Sequence, residues 1–250
     1  MRSSLQAIIL ILAVLALPAA QAASGGHVNF KKANVDLSSK TALQRGARVF
    51  VNYCVSCHSA SYMRYNRIAK DLGLSEEAVE TNLMFTTKKI GDTMNVAMDP
   101  ADAEAWFGVT PPDLSVIARS RGADWLFNFL QSYYVDDSKS TGVNNLVFTD
   151  TAMPHVLADL QGLQRATFNI EMDEGGNEHK VFAGFEQISA GQQTPEQYQQ
   201  TVRDLTTFLV YLGEPAKLVR YKIGFWVLIF LSILWCATYL MKREYWKDVH

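Results

Sequence analysis

The chain has 250 residues, a formal net charge of −2 and 48% hydrophobic residues. That apolar content supports a folded core and excludes a disordered polypeptide. The near-neutral charge gives no basic surface of the kind that nucleic-acid binders carry.

Residues 1–22 are predicted to be a removed signal peptide. Arg2 precedes an apolar run from Ala7 to Leu17, and Ala20-Gln21-Ala22 has the A-x-A form of a cleavage site. A first membrane span is the alternative. With a signal, the mature chain starts near Ala23 and faces an exported compartment. Residues 23–220 then form one body with no internal repeat.

Ser39 to Tyr53 reads as a helix with Ser39 as N-cap. Ala42, Leu43, Gly46, Ala47 and Phe50 share one face, where Gly46 admits a close neighbour. This helix runs into Cys54-Val-Ser-Cys-His58, which holds two of the three cysteines. A disulfide between Cys54 and Cys57 would close a loop too small to stabilise much. No βαβ pattern surrounds the pair, as a thioredoxin-like motif requires, and the body lacks further residues at zinc-ligand spacing. C-x-x-C-H is the attachment signature of a c-type haem. Two thioethers hold the porphyrin against one backbone turn, and His58 reaches the iron from one face. One haem c, tethered through Cys54 and Cys57, is the expected cofactor.

The iron's second ligand decides the chemistry: methionine makes an electron carrier, whereas an open position makes a ligand binder or an enzyme. Met63 lies too near His58 to reach the other face. Met84, Met94 and Met98 read as core filling, and Met172 sits in a charged turn. Met153, in Thr149-Asp-Thr-Ala-Met-Pro-His155, lies in a loop stiffened by Pro154. Met153 is the candidate and His155 its rival. Between these segments, Gly108 to Ser115 is a rigid turn whose Pro111 and Pro112 would pack flat and shield the iron. Arg119 and Arg121 are candidate partners for the haem propionates.

Thr167 to Ile188 alternates around Asp173-Glu-Gly-Gly-Asn177 and reads as a β-hairpin. Thr194 to Leu212 reads as a helix. Thr194 and Gln197 form its capping box, Pro195 occupies its first turn, and Tyr198, Val202, Leu205, Phe208, Leu209 and Leu212 make its apolar stripe. It is the expected partner of the first helix. Ile223 to Met241 has 19 residues and no charge, roughly 28 Å of helix and enough to cross a bilayer core. Lysines and arginines flank both ends, so the signal orients it, body outward. The expected anchor is 221–242, with a cytoplasmic tail at 243–250. The fold class is mainly α: a cytochrome c-like haem domain with a small β-hairpin and one C-terminal transmembrane helix.

Taken together, these features resemble the cytochrome c1 family, the haem-bearing subunits of cytochrome bc1 complexes (quinol–cytochrome c oxidoreductases). The resemblance rests on Cys54-Val-Ser-Cys-His58 with the following Ser-Ala-Ser-Tyr-Met-Arg-Tyr65. It extends to Pro111-Pro-Asp-Leu-Ser115 with Ile117, Arg119 and Arg121, to Ala152-Met153-Pro154, to the helix before Gly213-Glu-Pro215, and to the anchor ending Met241-Lys-Arg243. It implies Met153 as axial ligand and Arg121 as propionate partner. Trp125 stands where many relatives carry tyrosine, and Trp106 or Phe107 where some carry asparagine. One proline follows Met153 where relatives often have a run, and the cysteines for a disulfide found in some bacterial members are missing. The implied function is one-electron transfer from the Rieske iron–sulfur protein to a cytochrome c, alongside cytochrome b. The chain would not be catalytic alone. It would sit in a bacterial inner membrane, single pass and in contact with membrane lipid, haem domain in the periplasm. Asp136, Asp137, Glu171, Asp173 and Glu174 are candidates for steering a basic acceptor.

Overall fold

The computed structural model describes residues 30–172 and 178–248. The expected signal peptide, His27, and the hairpin turn at 173–177 lie outside them.

The body is organised by two crossed helices. Helix α1 (Lys40–Tyr53) starts where Ser39 Oγ accepts from the Ala42 N–H at 3.3 Å, and it buries Ala42, Leu43, Gly46, Ala47, Phe50 and Val51. Seven shorter segments follow in chain order: β1 (Ala60–Arg64), α2 (Tyr65–Leu72), α3 (Glu76–Asn82), β2 (Thr93–Met94), α4 (Pro100–Phe107), α5 (Ile117–Ser120) and α6 (Ala123–Phe129). After them come β3 (Tyr133–Val135), β4 (Val143–Asn145), α7 (Ala158–Gln161), β5 (Gly162–Met172) and β6 (Glu178–Ala190). Two long helices close the chain, α8 (Pro195–Gly213) and α9 (Lys217–Tyr245).

Helix α8 is the partner that the apolar pattern requires. Its capping box is formed, Thr194 Oγ1 accepting from the Gln197 N–H and Gln197 Oε1 accepting from the Thr194 N–H. Tyr198, Val202, Leu205, Phe208, Leu209 and Leu212 are all buried. A β-carbon on Gly46 would stand 2.1 Å from the Asp204 carbonyl oxygen and 2.7 Å from Phe208 Cβ, so only glycine permits this crossing. Phe50 packs on Phe208 one turn further on, ring centroids 5.6 Å apart. At the margin, Arg45 clasps Asp204 through Nε at 2.5 Å and Nη2 at 3.0 Å.

Every strand pairs antiparallel in a two-stranded ladder: β1 with β2, β3 with β4, β5 with β6. The hairpin is longer than its alternation indicated. It opens at Gly162 and closes at Ala190, with two register shifts and Phe168 opposite Phe182. The two short ladders have strands of two to five residues, too short for an alternation to stand out in the sequence. Helix α9 contains Val219–Tyr245, the one helix among the described residues long and apolar enough to cross a membrane, and none of its apolar stretch is buried against the body. The architecture is mainly helical, as expected, with small hairpins and one apolar C-terminal helix.

Candidate functional site

The end of α1 turns sharply. The Cys54 and Val55 N–H groups both donate to the Phe50 carbonyl, at 2.8 and 3.0 Å. The Cys57 and His58 N–H groups then donate to the Cys54 carbonyl, at 3.1 and 2.8 Å. This turn sets Cys54, Cys57 and His58 on one cavity of about 290 Å³, open on one side and lined almost wholly by apolar atoms. Burial pushes the Cys54 thiol up to about 12, so its sulfur stands neutral in an apolar wall.

Four further segments complete the lining. The Pro-Pro turn contributes Pro111, Pro112 and Leu114. Helices α5 and α6 contribute Ile117, Trp125 and Phe129, with Arg121 between them. The loop after β4 contributes Phe148, Thr151, Met153 and Pro154, and α8 contributes Leu205 and Leu209.

The Pro-Pro turn does more than shield. The Pro112 carbonyl lies 2.7 Å from His58 Nδ1. A carbonyl only accepts, so the proton sits on Nδ1 and Nε2 keeps a bare lone pair. Burial lowers the histidine's pKa, which keeps the ring neutral. Asp113 staples this turn to the segment behind the motif. Its carboxylate accepts from Ser61 N–H at 2.9 Å, Ser61 Oγ at 2.6 Å and Ser115 N–H at 2.7 Å. Leu114 N–H donates to the Ser59 carbonyl at 2.8 Å, and Tyr62 N–H donates to Ser115 Oγ at 3.1 Å. Burial raises the Asp113 carboxyl, and the bonds from Ser115 and Ser61 outweigh it, leaving it below the usual carboxylate value.

The methionines separate by place. Met63 and Met94 are fully buried, Met63 beside Tyr211 and Met94 in the β1–β2 ladder. Met84 is buried and Met172 exposed. Among the described methionines only Met153 lines the cavity. Its rival His155 turns elsewhere and stacks on Tyr133 with ring centroids 4.8 Å apart and planes within 4°. His179 lies exposed on β6.

The two arginines separate as well. Arg121 reaches the cavity and lies 5.2 Å over the Trp125 ring and 5.7 Å from that of Phe148, with no carboxylate partner among the described residues. Arg119 instead lays its aliphatic stem by Gly213 of α8. Phe107 lines the cavity and Trp106 is exposed, so the place where some relatives carry asparagine is apolar here. The Pro112 carbonyl, the Asp113 staple and the Phe148 and Leu205 contacts escaped the sequence reading. Only their spatial closeness gives them meaning.

The residues present fit a haem c: two thiols and an imidazole with its Nε2 bare, a thioether, flat apolar walls and one unpaired guanidinium. They define a c-type cytochrome with one candidate membrane-crossing helix. The chain matches the Cytochrome C1 family over residues 30–249, and it belongs to that family. It is 48% identical to cytochrome c1 of Allochromatium vinosum, over 97% of this chain and 99% of that one. It is 46% identical to a Nitrosomonas europaea protein named ammonia monooxygenase gamma subunit, over 96% and 97%. It is 27% identical to cytochrome c1 of Blastochloris viridis, over 84% and 82%. The chain is therefore a haem-containing electron-transfer subunit of the cytochrome bc1 complex, membrane-anchored, with cytochrome b and the Rieske protein as partners and one covalent c-type haem.

Proposed function

We propose that this chain relays single electrons from the Rieske iron–sulfur protein to a cytochrome c, with His58 and Met153 as the two iron ligands. The bound haem supplies the one-electron chemistry. The chain's residues tether it at Cys54 and Cys57, orient His58 through the Pro112 carbonyl, and exclude water with Pro111, Pro112 and the aromatic rings. Arg121, at the cavity, would pair with a propionate. The 221–242 segment anchors the body in the lipid of a bacterial inner membrane, after removal of residues 1–22, with the 23–220 domain in the periplasm and 243–250 in the cytoplasm.

One observation carries the reading: of the described methionines, Met153 alone lines the cavity that holds Cys54, Cys57 and His58. A thioether ligand raises the potential and closes the iron to exogenous ligands. That suits a carrier and not a gas sensor or haem enzyme. Exposed Asp137 and Glu171 favour a basic acceptor, whereas Asp136 is engaged by Ser138 and Asn144.

The test is gentle detergent extraction followed by purification and quinol-driven reduction of added cytochrome c. Co-purification of a b-type cytochrome and a Rieske protein, with turnover lost when the Rieske protein is removed, is the expected result. Isolation of the chain alone, or with subunits of a monooxygenase, would overturn the proposed route.

A further inference from the structure

Strand β4 ends on two consecutive asparagines, Asn144 and Asn145. Both are buried, Asn145 completely. A buried amide is tolerated when its donors and acceptors are used. Asn145 Oδ1 accepts from Ser132 Oγ at 2.9 Å, Val147 N–H at 2.9 Å and Phe148 N–H at 3.1 Å. Its Nδ2 donates to the Phe129 carbonyl at 2.8 Å. Backbone donors face the oxygen and a carbonyl faces the nitrogen, so the amide has one workable orientation. Asn144 Oδ1 accepts from the Asn145 N–H at 2.8 Å and the Asp150 N–H at 2.9 Å, while its Nδ2 donates to Asp136 Oδ2 at 3.0 Å.

Two side-chain oxygens thus hold three amides of the chain that follows, at positions 147, 148 and 150. This stretch has no helix or strand of its own up to Pro154, so its backbone depends on such external partners. Asp150 then turns through a left-handed conformation, φ 59°. Thr151 is buried, and its Oγ1 accepts from the Met153 N–H at 3.3 Å. Neither asparagine lines the cavity, but Phe148, Thr151 and Met153, which hang from them, do.

We propose that Asn144 and Asn145 are positioning residues for the iron ligand: a two-residue latch that fixes where the Met153 thioether stands. The proposal rests on the reading of Met153 as ligand. The latch makes closure of the iron a property of β4 and the amides it holds, and not of the methionine alone.

The test uses the full chain, haem-loaded and within its complex. Asn144→Ala and Asn145→Ala are compared with the parent and with Tyr211→Phe. That control removes a part-buried hydrogen bond to Asp71, 2.9 Å, from a part of α8 that does not line the cavity. Three quantities are read: the methionine-to-iron charge-transfer absorption of the oxidised protein, carbon monoxide binding by the reduced protein, and the midpoint potential.

Asn144→Ala is expected to raise the carbon monoxide-binding fraction about five-fold, the shift that losing its one bond to the following loop, from the Asp150 N–H, gives. Asn145→Ala is expected to lose the absorption and lower the potential with the haem still attached. Tyr211→Phe is expected to melt earlier with all three readouts at parental values. If Asn145→Ala does not accumulate, Asn144→Ala decides. Asparagine variants that keep the absorption and exclude carbon monoxide as the parent does would overturn the latch. So would equal changes in Tyr211→Phe. If the parent itself lacks the absorption, the ligand reading fails, and the latch with it.

Discussion

The segment that brings His58 to the cavity and the segment that brings Met153 are built by opposite means. His58 follows directly from a long helix whose far face is locked on α8 through Gly46 and Phe50. It is then braced by a second strand of chain, the Pro-Pro turn, through five hydrogen bonds to Pro112, Asp113, Leu114 and Ser115. Met153 hangs from a loop with no regular structure, held from outside by two asparagines and by the His155–Tyr133 stack. The histidine needs rigid delivery, because Cys54 and Cys57 would tether the porphyrin to the same backbone turn. A methionine from a distant stretch depends instead on the partners its loop finds.

That contrast predicts a gradient of effects. His58→Ala should be the most severe, abolishing quinol-driven cytochrome c reduction in membranes, since no other described imidazole lines the cavity; residual turnover above a tenth of parent would break the assignment. Next, Gly46→Ala should lower unfolding stability by about 3 kcal/mol, because the new methyl meets the Asp204 carbonyl and forces the helices apart. Chemical denaturation of the haem-loaded chain measures it, and an unchanged midpoint would show that the crossing is looser than described.

Asp113→Ala should cost about 2 kcal/mol, leaving Ser61 and Ser115 donors unpaired. It should also raise the midpoint potential, since a looser Pro112 carbonyl makes His58 a weaker electron donor to the iron. A stability loss without a potential shift would confine the staple to folding. The smallest effect separates the two arginines. Arg121→Gln should lower the potential by removing a positive charge from the cavity, whereas Arg119→Gln should leave it at the parental value. Equal shifts in redox titration would contradict the placement of Arg121 at the cavity and Arg119 by Gly213.

The same contrast governs how far the sequence could be read. Everything on the helix side has a local signature. The cap at Ser39, the spacing of Ala42 to Phe50, the C-x-x-C-H turn and the capping box at Thr194 each depend on residues a few positions apart. The helix pair and the tether were therefore legible before any coordinates. The role of Pro112 was not. A proline announces a stiff turn, but the carbonyl that matters belongs to the backbone and finds His58 across 54 positions of chain. Choosing among the methionines had the same obstacle. Met63, Met84 and Met94 differ from Met153 in what lies beside them, and periodicity does not report that. Asparagine is common in turns, yet Asn144 and Asn145 are buried hydrogen-bonding centres whose partners sit in a loop of no recognisable pattern. The resemblance to cytochrome c1 bridged part of this gap by pointing at Met153, and the family match places the chain as a whole.

The proposed relay requires the Met153 thioether to close the iron. The direct measurement is the long-wavelength methionine-to-iron charge-transfer absorption of the oxidised complex, parent against Met153→Leu, with carbon monoxide added to the reduced forms. The parent is expected to show the absorption and bind no carbon monoxide, and Met153→Leu to lose the one and gain the other. An oxidised parent without the absorption, or a variant that keeps it, would contradict the assignment.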